Sequence, residues 1–457
     1  MALDFLILYE HPVREYESIL LLKLELERRG YTVEIQQLLA QKKRSRFKGA
    51  GQPRVLVASN LYDDEGLNSH VFNNAGRCAR AVNLHWEQML SDTQEQQPWF
   101  NFSGNAKLCT QTCWGEKTRA RLVAHGMQAQ NCPVTGAIML DFLRPEFSGY
   151  FKGKQALCKE FGLDENKQLF LYISSFGYAS MQADEVAELS AMAGTDFTQF
   201  AATNKRSMSK TLEWFGQYLQ AHPEVEFVYR RHPSEWASKE LADLQAVCPN
   251  FHVIFSGSVK EWIVAADNIF IWMSTAIAEV YFAGKSCHIL RPYPIEHEFD
   301  PVIYKNATYV CSYEAFEVAA GQTGGAFPIA PHVLQGYFSS TATPAYLRMA
   351  DLLEQVHKET PAQDIFAPPF RPHFNTLKYV ALAGVNFLHR RGWKPEKLFF
   401  FLPPLARFAQ RIYGYIEKAA VTPEAHAAAE ARLRPYVQRI AQTHFPITPE
   451  TNKNSEI

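Results

Sequence analysis

The chain has 457 residues, of which 47% are hydrophobic and 20% are charged, so it holds enough material for two or three globular domains. Its formal net charge of −1 argues against a nucleic-acid-binding protein, which normally carries a strongly basic domain. No run of about 18 apolar residues occurs, so a membrane-spanning helix is not expected. The eight cysteines are scattered and form no CxxC pair, which favours a cytoplasmic enzyme.

Short apolar runs alternate with helical stretches in the first third of the chain. The run from Phe5 to Tyr9 predicts a strand and not a signal peptide, because no basic segment precedes it. A helix is predicted from Glu15 to Arg29, ended by Gly30. The same pattern then predicts strands at Tyr31–Ile35, Arg54–Ala58, Ala81–Leu84 and Ala106–Cys109, and a helix from Glu116 to His125.

The alternation loosens between Arg144 and Lys167 and begins again with a strand at Gln168–Ile173. Four strands and four helices are predicted after it: Val225–Tyr229, Phe251–Phe255, Asn268–Trp272 and Ser286–Leu290; Ser207–Ala221, Ala237–Val247, Val259–Ala265 and Thr275–Ala283. Such alternation is typical of parallel α/β sheets. We therefore expect two Rossmann-like domains facing a cleft, at residues 1–145 and 165–345.

Residues 346–457 predict a mostly helical C-terminal extension. Between Phe387 and Tyr415 it mixes apolar and basic residues, including Arg390, Arg391 and the run Leu398–Leu402. Such a segment can lie on an anionic membrane surface, or it can pack across the two domains or form a dimer contact.

The segment from Tyr229 to Trp236 directly follows a predicted strand, which is where ligands approach a parallel sheet. His232, fixed by Pro233, can donate to a phosphate, and Arg230 or Arg231 can supply charge. The alternative is a surface loop, since a second His-Pro pair occurs at His222.

The segment from Trp272 to Glu279 also follows a predicted strand. Ser274 or Thr275 is expected to be the N-cap of the next helix and to help bind phosphate, while Glu279 is a candidate for a ribose hydroxyl. Ser174 and Ser175 follow the first strand of the same domain and form a weaker candidate phosphate loop.

Candidate proton acceptors lie in the first domain. Asp64 and Glu65 belong to the Asp-Asp-Glu-Gly run that ends at Gly66, and Glu87 follows another predicted strand. Glu10 follows the first strand. A solvated acidic turn is the alternative for the run, and the sequence does not select one base.

Several other classes are disfavoured. The sequence has no metal-binding spacing of His, Cys or Asp, no glycine-rich dinucleotide or P-loop motif, and no Gly-x-Ser-x-Gly elbow. No metal and no cofactor are therefore expected.

The order of three motifs, Asp63-Asp-Glu-Gly66, Arg231-His-Pro233 and Ser274-Thr275, resembles bacterial capsule polysialyltransferases, capsule Kdo transferases and teichoic-acid glycerophosphotransferases. Tyr9–Glu15, Asn83–Gln88, Cys113–Glu116 and Val134–Gly136 also resemble bacterial surface-carbohydrate biosynthesis proteins. The resemblance covers about residues 1–300 and implies the GT-B glycosyltransferase fold. In those families the acid before glycine is the base or lies near the acceptor, and His-Pro and Ser/Thr hold a cytidine nucleotide.

This resemblance implies a metal-independent glycosyltransferase that uses a nucleotide sugar, with a CMP-linked donor such as CMP-Kdo, as its substrate. The expected acceptor is a capsular or lipopolysaccharide chain or its lipid-linked precursor, at the inner face of the inner membrane. A nucleotide-sugar epimerase of GT-B fold, a teichoic-acid-like glycerophosphotransferase and a non-catalytic scaffold of polysaccharide assembly remain alternatives. Inversion or retention of configuration stays open.

Overall fold

The computed structural model describes residues 3–39, 52–97, 100–232, 235–322, 324–359, 363–395 and 403–444. The strands are β1 (Leu3–Tyr9), β2 (Val33–Gln37), β3 (Pro53–Ala58), β4 (Arg80–Asn83), β5 (Thr110–Gln111), β6 (Gln168–Ile173), β7 (Val225–Arg230), β8 (Phe251–Ile254), β9 (Asn268–Ile271), β10 (His288–Leu290) and β11 (Tyr309–Val310).

The α-helices are α1 (Pro12–Arg28), α2 (Asp64–Gly66), α3 (Asn73–Ala75), α4 (Asp92–Gln96), α5 (Glu116–Ala124), α6 (Ile138–Asp141), α7 (Lys154–Phe161), α8 (Ala183–Ala193), α9 (Thr198–Ala221), α10 (Lys239–Val247), α11 (Val259–Ala265), α12 (Ile277–Phe282), α13 (Tyr313–Ala320), α14 (Pro331–Tyr337), α15 (Ala345–Lys358), α16 (Thr376–Arg390), α17 (Pro403–Ala419) and α18 (Pro423–His444). A π-helical turn (Leu67–Phe72) joins α2 to α3, and short 3₁₀ helices occur at Gly104–Leu108, Ala129–Asn131, Pro145–Phe147 and Val302–Tyr304.

The chain forms two compact units, and each is built from separate stretches of sequence. The first unit comprises Met1–Trp86, Asn101–Asp141 and Ser339–Ile457. The second unit comprises Glu87–Phe100 and Phe142–Phe338. Residues 346–457, expected as a C-terminal extension, therefore group with the first unit.

The first unit contains a five-stranded parallel sheet in the order β2-β1-β3-β4-β5. Ile7 of β1 lies opposite Ile35 of β2 and Val57 of β3, so β1 is an interior strand between these two. Residues Phe5–Tyr9 are all buried, as expected for a strand covered on both faces.

Helix α1 connects the first two strands of this sheet. Pro12 occupies its first turn, where the missing N–H costs nothing. The chain leaves the helix at Gly30, whose φ of 92° suits glycine. Helices α15 and α18, from the C-terminal part of the chain, both pack against α1.

The second unit contains a six-stranded sheet in the order β11-β10-β9-β6-β7-β8, and its strand pairs are parallel. Its core is rich in aromatic side chains. Tyr172 of β6 packs edge-on against Phe215 of α9, and their ring centroids lie 5.1 Å apart. Buried aromatic rings of this kind supply much of the apolar area of a core.

The predicted α/β class, with two parallel sheets and a helical C-terminal region, is confirmed. The strand predicted at Ala106–Cys109 is wrong, because Gly104–Leu108 is a 3₁₀ helix and only Thr110–Gln111 joins the sheet. The Asn105 N–H donates to the Asp64 carboxylate and the Ala106 carbonyl accepts from Gln111. Those two groups are therefore not available to a strand ladder.

Candidate functional site

The carboxyl edge of the second sheet contains a point where the strand order reverses. From β6 the chain builds outward through β7 and β8, and β9 then lies on the opposite side of β6. Ligands of open α/β sheets bind at such a reversal. Ser175, after β6, and Met273, after β9, meet there, and the Met273 N–H donates to Ser175 Oγ at 3.2 Å.

A buried carboxylate joins the ends of β6 and β7. Ser174 Oγ donates to Glu235 Oε2 at 2.5 Å, and the Tyr229 hydroxyl donates to Glu235 Oε1 at 2.7 Å. The His232 backbone N–H also donates to Glu235 Oε2, at 3.3 Å. Glu235 therefore fixes the backbone that presents the His232 side chain.

Burial raises the pKa of Glu235 above its ordinary value, while its hydrogen bonds from Ser174 and Tyr229 act in the opposite direction. Only 4% of Glu235 is exposed. Glu235 is not among the residues that the sequence pattern predicts for the site. The only sequence signal was its place three residues after His232, and its burial depends on partners from two strands.

The two arginines after β7 have different environments. Arg230 is buried and donates to the carbonyls of Ile254 and Gly257, so it supports the loop after β8. Burial lowers its pKa to about 10. Arg231 is half-buried above the Phe255 ring at 5.1 Å, and its Nε has no hydrogen-bond partner among the described residues. His232 follows it, and Pro233 lies outside the described residues.

The backbone of the segment after β9 is held by the Tyr304 hydroxyl, which also donates to the Ser274 carbonyl at 2.6 Å. The Ser274 N–H donates to the Tyr304 hydroxyl at 2.9 Å, and Thr275 is exposed. Ser274 and Thr275 are not the N-cap of α12, which is Ala276. Ser274 Oγ instead accepts from the Ala276 N–H, because the chain makes one tight turn before α12 begins. Glu279 forms an ion pair with Lys260 at 3.0 Å.

The three carboxylates proposed as bases have different surroundings. Asp64 accepts from the Asn105 N–H at 2.6 Å, which ties it to a neighbouring turn. Glu65 is exposed beside a small cavity that Asn68, His70 and His373 help to line. Glu87 is exposed and belongs to the second unit.

Glu87 lies close to the loop that follows β6. Burial raises the pKa of Tyr178 in that loop, and the negative charge of Glu87 raises it further. The structure thus brings Ser174, Ser175 and the loop after β7 to one sheet edge, with Glu87 in the same unit. Asp64 and Glu65 belong to the other unit.

Within the described part of the chain, no group of three or more His, Cys, Asp and Glu side chains is arranged to hold a metal ion. None of the described helices combines the length and apolar character that crossing a bilayer requires.

No protein-family model matches the chain, and neither does any curated protein. Solved structures with similar folds include the UDP-GlcNAc 2-epimerase of Methanocaldococcus jannaschii in complex with UDP-GlcNAc and UDP, at 12% identity and a TM-score of 0.47, over 78% of this chain and 100% of that chain. The UDP-GlcNAc 2-epimerase of Neisseria meningitidis bound to UDP-GlcNAc has 11% identity and a TM-score of 0.40, over 84% of this chain and 99% of that one.

A third similar structure is the H548A variant of the wall teichoic acid polymerase TagF, at 10% identity and a TM-score of 0.49, over 79% of this chain and 90% of that chain. With TM-scores below 0.5, these three likenesses define no family for this chain.

Proposed function

We propose that this chain is a glycosyltransferase that binds a nucleotide sugar at the carboxyl edge of the second sheet. The observation that carries the proposal is the reversal of strand order between β6 and β9, where the loop held by Glu235 presents Arg231 and His232. Parallel sheets bind ligands at such an edge, and an arginine beside a histidine suits a phosphate.

In this proposal the second unit stabilises the departing nucleotide phosphate. Arg231 and His232 supply donors to the phosphate oxygens as the bond to the sugar breaks, and Ser175 lies at the neighbouring strand end. A carboxylate of the first unit takes the proton of the acceptor hydroxyl. Every step uses side chains of this chain, and the nucleotide sugar is the substrate.

The donor is proposed to be CMP-linked, carrying Kdo or a related ulosonic acid. This rests on the order of the motifs Asp63–Gly66, Arg231–Pro233 and Ser274-Thr275. A bacterial surface polysaccharide or its lipid-linked precursor is the proposed acceptor.

A thermal-shift panel of CMP, CDP, UDP, UMP, GDP and ADP tests the donor site. A nucleotide that binds only the folded state raises its melting temperature. We expect a shift with CMP that is lost in His232→Ala. His222→Ala is the matched control, because His222 is also followed by proline but precedes β7 and so does not lie at this edge. Its Nδ1 lies 2.8 Å from Glu224 Oε1. A shift with UDP alone favours the epimerase, and no shift with any nucleotide favours the scaffold.

Kinetics then separate transfer from binding. Removing one charge-stabilising donor from such a site typically costs about 100-fold or more in turnover. We expect His232→Ala to lose that much and His222→Ala to keep its activity. Full turnover in His232→Ala would contradict the donor-site assignment.

We also propose that helix α16 contacts an anionic membrane surface peripherally, where a lipid-linked acceptor is found. Leu377, Val380 and Phe387 lie on one face of α16 and are 85%, 62% and 51% exposed. Residues 365–416 contain eight Lys and Arg and one acidic residue, although the whole chain has a net charge of −1. The apolar run Leu398–Leu402 lies outside the described residues.

Sedimentation with lipid vesicles tests this contact. We expect binding to phosphatidylserine-containing vesicles, little binding to phosphatidylcholine vesicles, and weakening at about 1 M salt, where charges are screened beyond about 3 Å. Equal binding to both kinds of vesicle at every salt concentration would contradict the proposal.

A further inference from the structure

The first sheet has its own reversal of strand order. Strand β1 connects to β2 on one side, and the chain then crosses to β3 on the other side of β1. Glu10 directly follows β1, and Asn60 is the second residue after β3. Their side chains meet, with Asn60 Nδ2 donating to Glu10 Oε2 at 2.6 Å.

Glu10 is held in place but keeps free capacity for hydrogen bonding. Its Oε1 accepts from the Tyr415 hydroxyl of α17, and its backbone N–H donates to Glu15 at 2.9 Å. An ionised carboxylate has about four lone-pair sites, so these two side-chain donors leave about half of them for a ligand. The Glu10 side chain is 21% exposed, and the half-exposed His11 lies 3.9 Å away.

Asn60 adopts an uncommon backbone conformation, with a φ of 61°. A residue other than glycine rarely adopts this conformation, and such residues are frequent at functional sites. His85, the second residue after β4, also has a positive φ, of 47°. Two strand ends of this sheet therefore carry an unusual backbone at the edge where ligands bind.

The glycine of the acidic motif supports Asn60. A Cβ added to Gly66 would lie 2.8 Å from the Asn60 carbonyl oxygen, so only glycine lets the helix start approach this closely. Asp63 closes the same turn by accepting from the Gly66 N–H at 2.7 Å. Gly66 of the Asp63–Gly66 motif therefore lies close against Asn60, the residue that donates to Glu10.

We propose that the reversal between β1 and β3 is a second ligand site, that it binds a hydroxyl-bearing sugar, and that Glu10 is the group that accepts a proton from it. The site is proposed to take the acceptor, and this role rests on the proposed function. A carboxylate with an adjacent amide and phenol suits a sugar hydroxyl, which both donates and accepts hydrogen bonds.

In the proposed transfer step, each bond that forms is matched by one that breaks. The acceptor hydroxyl oxygen forms a bond to the anomeric carbon of the donor, and its proton moves to a Glu10 carboxylate oxygen. The bond between the anomeric carbon and the phosphate oxygen breaks, and its electron pair leaves with the nucleotide. Asn60 and Tyr415 act as positioning residues, because they hold the carboxylate and do not take the proton.

Hydrogen exchange of the full chain tests the site without requiring transfer. Glucose, galactose, N-acetylglucosamine and free Kdo serve as probes. We expect at least one of them to slow exchange in the segments after β1 and β3, and this protection to be lost in Glu10→Ala but kept in Glu424→Gln, whose side chain is exposed on α18. Gly66→Ala displaces Asn60 without changing any side chain proposed to contact the sugar. We expect this variant to weaken the protection by the saccharide. Absence of protection there, or equal protection in Glu10→Ala, would overturn the site.

Transfer assays test the proton step separately. Losing a general base typically costs about 100-fold to 10,000-fold, so Glu10→Gln is expected to lose that much turnover while its nucleotide-induced melting shift stays unchanged. Full turnover in Glu10→Gln, with a loss in Asp64→Asn instead, overturns the role of Glu10 and leaves the proposed function standing. Saccharide protection after β1 and β3, with no transfer from any nucleotide sugar, overturns the proposed function and leaves the site standing.

Discussion

Glu235 is an acidic side chain buried at a strand end, where three donors surround it. Its raised pKa means that the folded chain binds this proton more readily than the unfolded chain, whose glutamate has a pKa of about 4.3. The cost of burying the charge is therefore absent at low pH and appears as the pH rises through the raised pKa.

Replacing Glu235 with glutamine removes this titration. We expect the stability of the parent chain relative to Glu235→Gln to increase as the pH falls from about 7 towards the unfolded-state value of about 4.3. Urea denaturation at several pH values measures the difference. Glu188→Gln is the control, because Glu188 is exposed on α8. A stability difference for Glu235→Gln that does not change with pH would contradict the prediction.

Position along the chain led to the prediction of Arg230, Arg231 and His232 together, because they lie at the end of an apolar strand. It did not distinguish Arg230, which points into the loop after β8, from Arg231, which stays half-exposed. Glu235 was not proposed from the sequence, and Glu10 was one of several acids that the sequence could not distinguish. Each depends on partners distant in the chain: Ser174 for Glu235, and Asn60 and Tyr415 for Glu10.

Helices α16 and α18 each contain a leucine whose exposure to solvent is opposite to that of the other. Leu433 of α18 is fully buried, whereas Leu377 of α16 is 85% exposed. Helix α18 packs against α1, the helix that joins the first two strands. Replacing each leucine with alanine therefore distinguishes the effect of lost core packing from the effect of a lost surface contact.

We expect Leu433→Ala to cost about 2–5 kcal/mol in the free energy of unfolding, because it leaves a cavity. Leu377→Ala is expected to stay within about 0.5 kcal/mol, as is usual at the surface, while reducing binding to anionic vesicles. Chemical denaturation and vesicle sedimentation measure the two effects. A large stability loss in Leu377→Ala would mean that this face is covered by protein.

The sequence predicted several elements well because their apolar periodicity is local. Strand β6, at Gln168–Ile173, and helix α11, at Val259–Ala265, have the predicted bounds. The failures at Ala106–Cys109 and at the start of α12 have another origin. There Asp64 and Tyr304 bind backbone groups that are distant in the chain, and no local pattern carries that information.

The two units have separate sheets, and the buried clusters of each sheet are separate as well. A ligand stabilises the unit that binds it, because binding to the folded form of that unit shifts its unfolding equilibrium towards the folded state. The donor nucleotide is therefore expected to act on the second unit, and Leu433→Ala on the first.

Hydrogen exchange followed by mass spectrometry measures this separation. We expect CMP to slow exchange in β6, β7 and β9 while leaving β1 and α1 unchanged, and Leu433→Ala to speed exchange in β1 and α1 while leaving β7 unchanged. The wild-type chain without nucleotide is the reference. Protection by CMP of both sheets to the same degree would show that the units unfold together.

The interleaving of the two units affects how the chain folds during synthesis. The first unit needs helices α15 to α18, which are made after a second unit that spans about 200 residues. At about 5–20 residues per second, synthesis of the second unit alone delays these helices by about 10–40 seconds after strands β1 to β5 have been made. During that interval the apolar face of α1 lacks α15 and α18, so the newly made amino-terminal sheet is the part of this protein that most needs a chaperone.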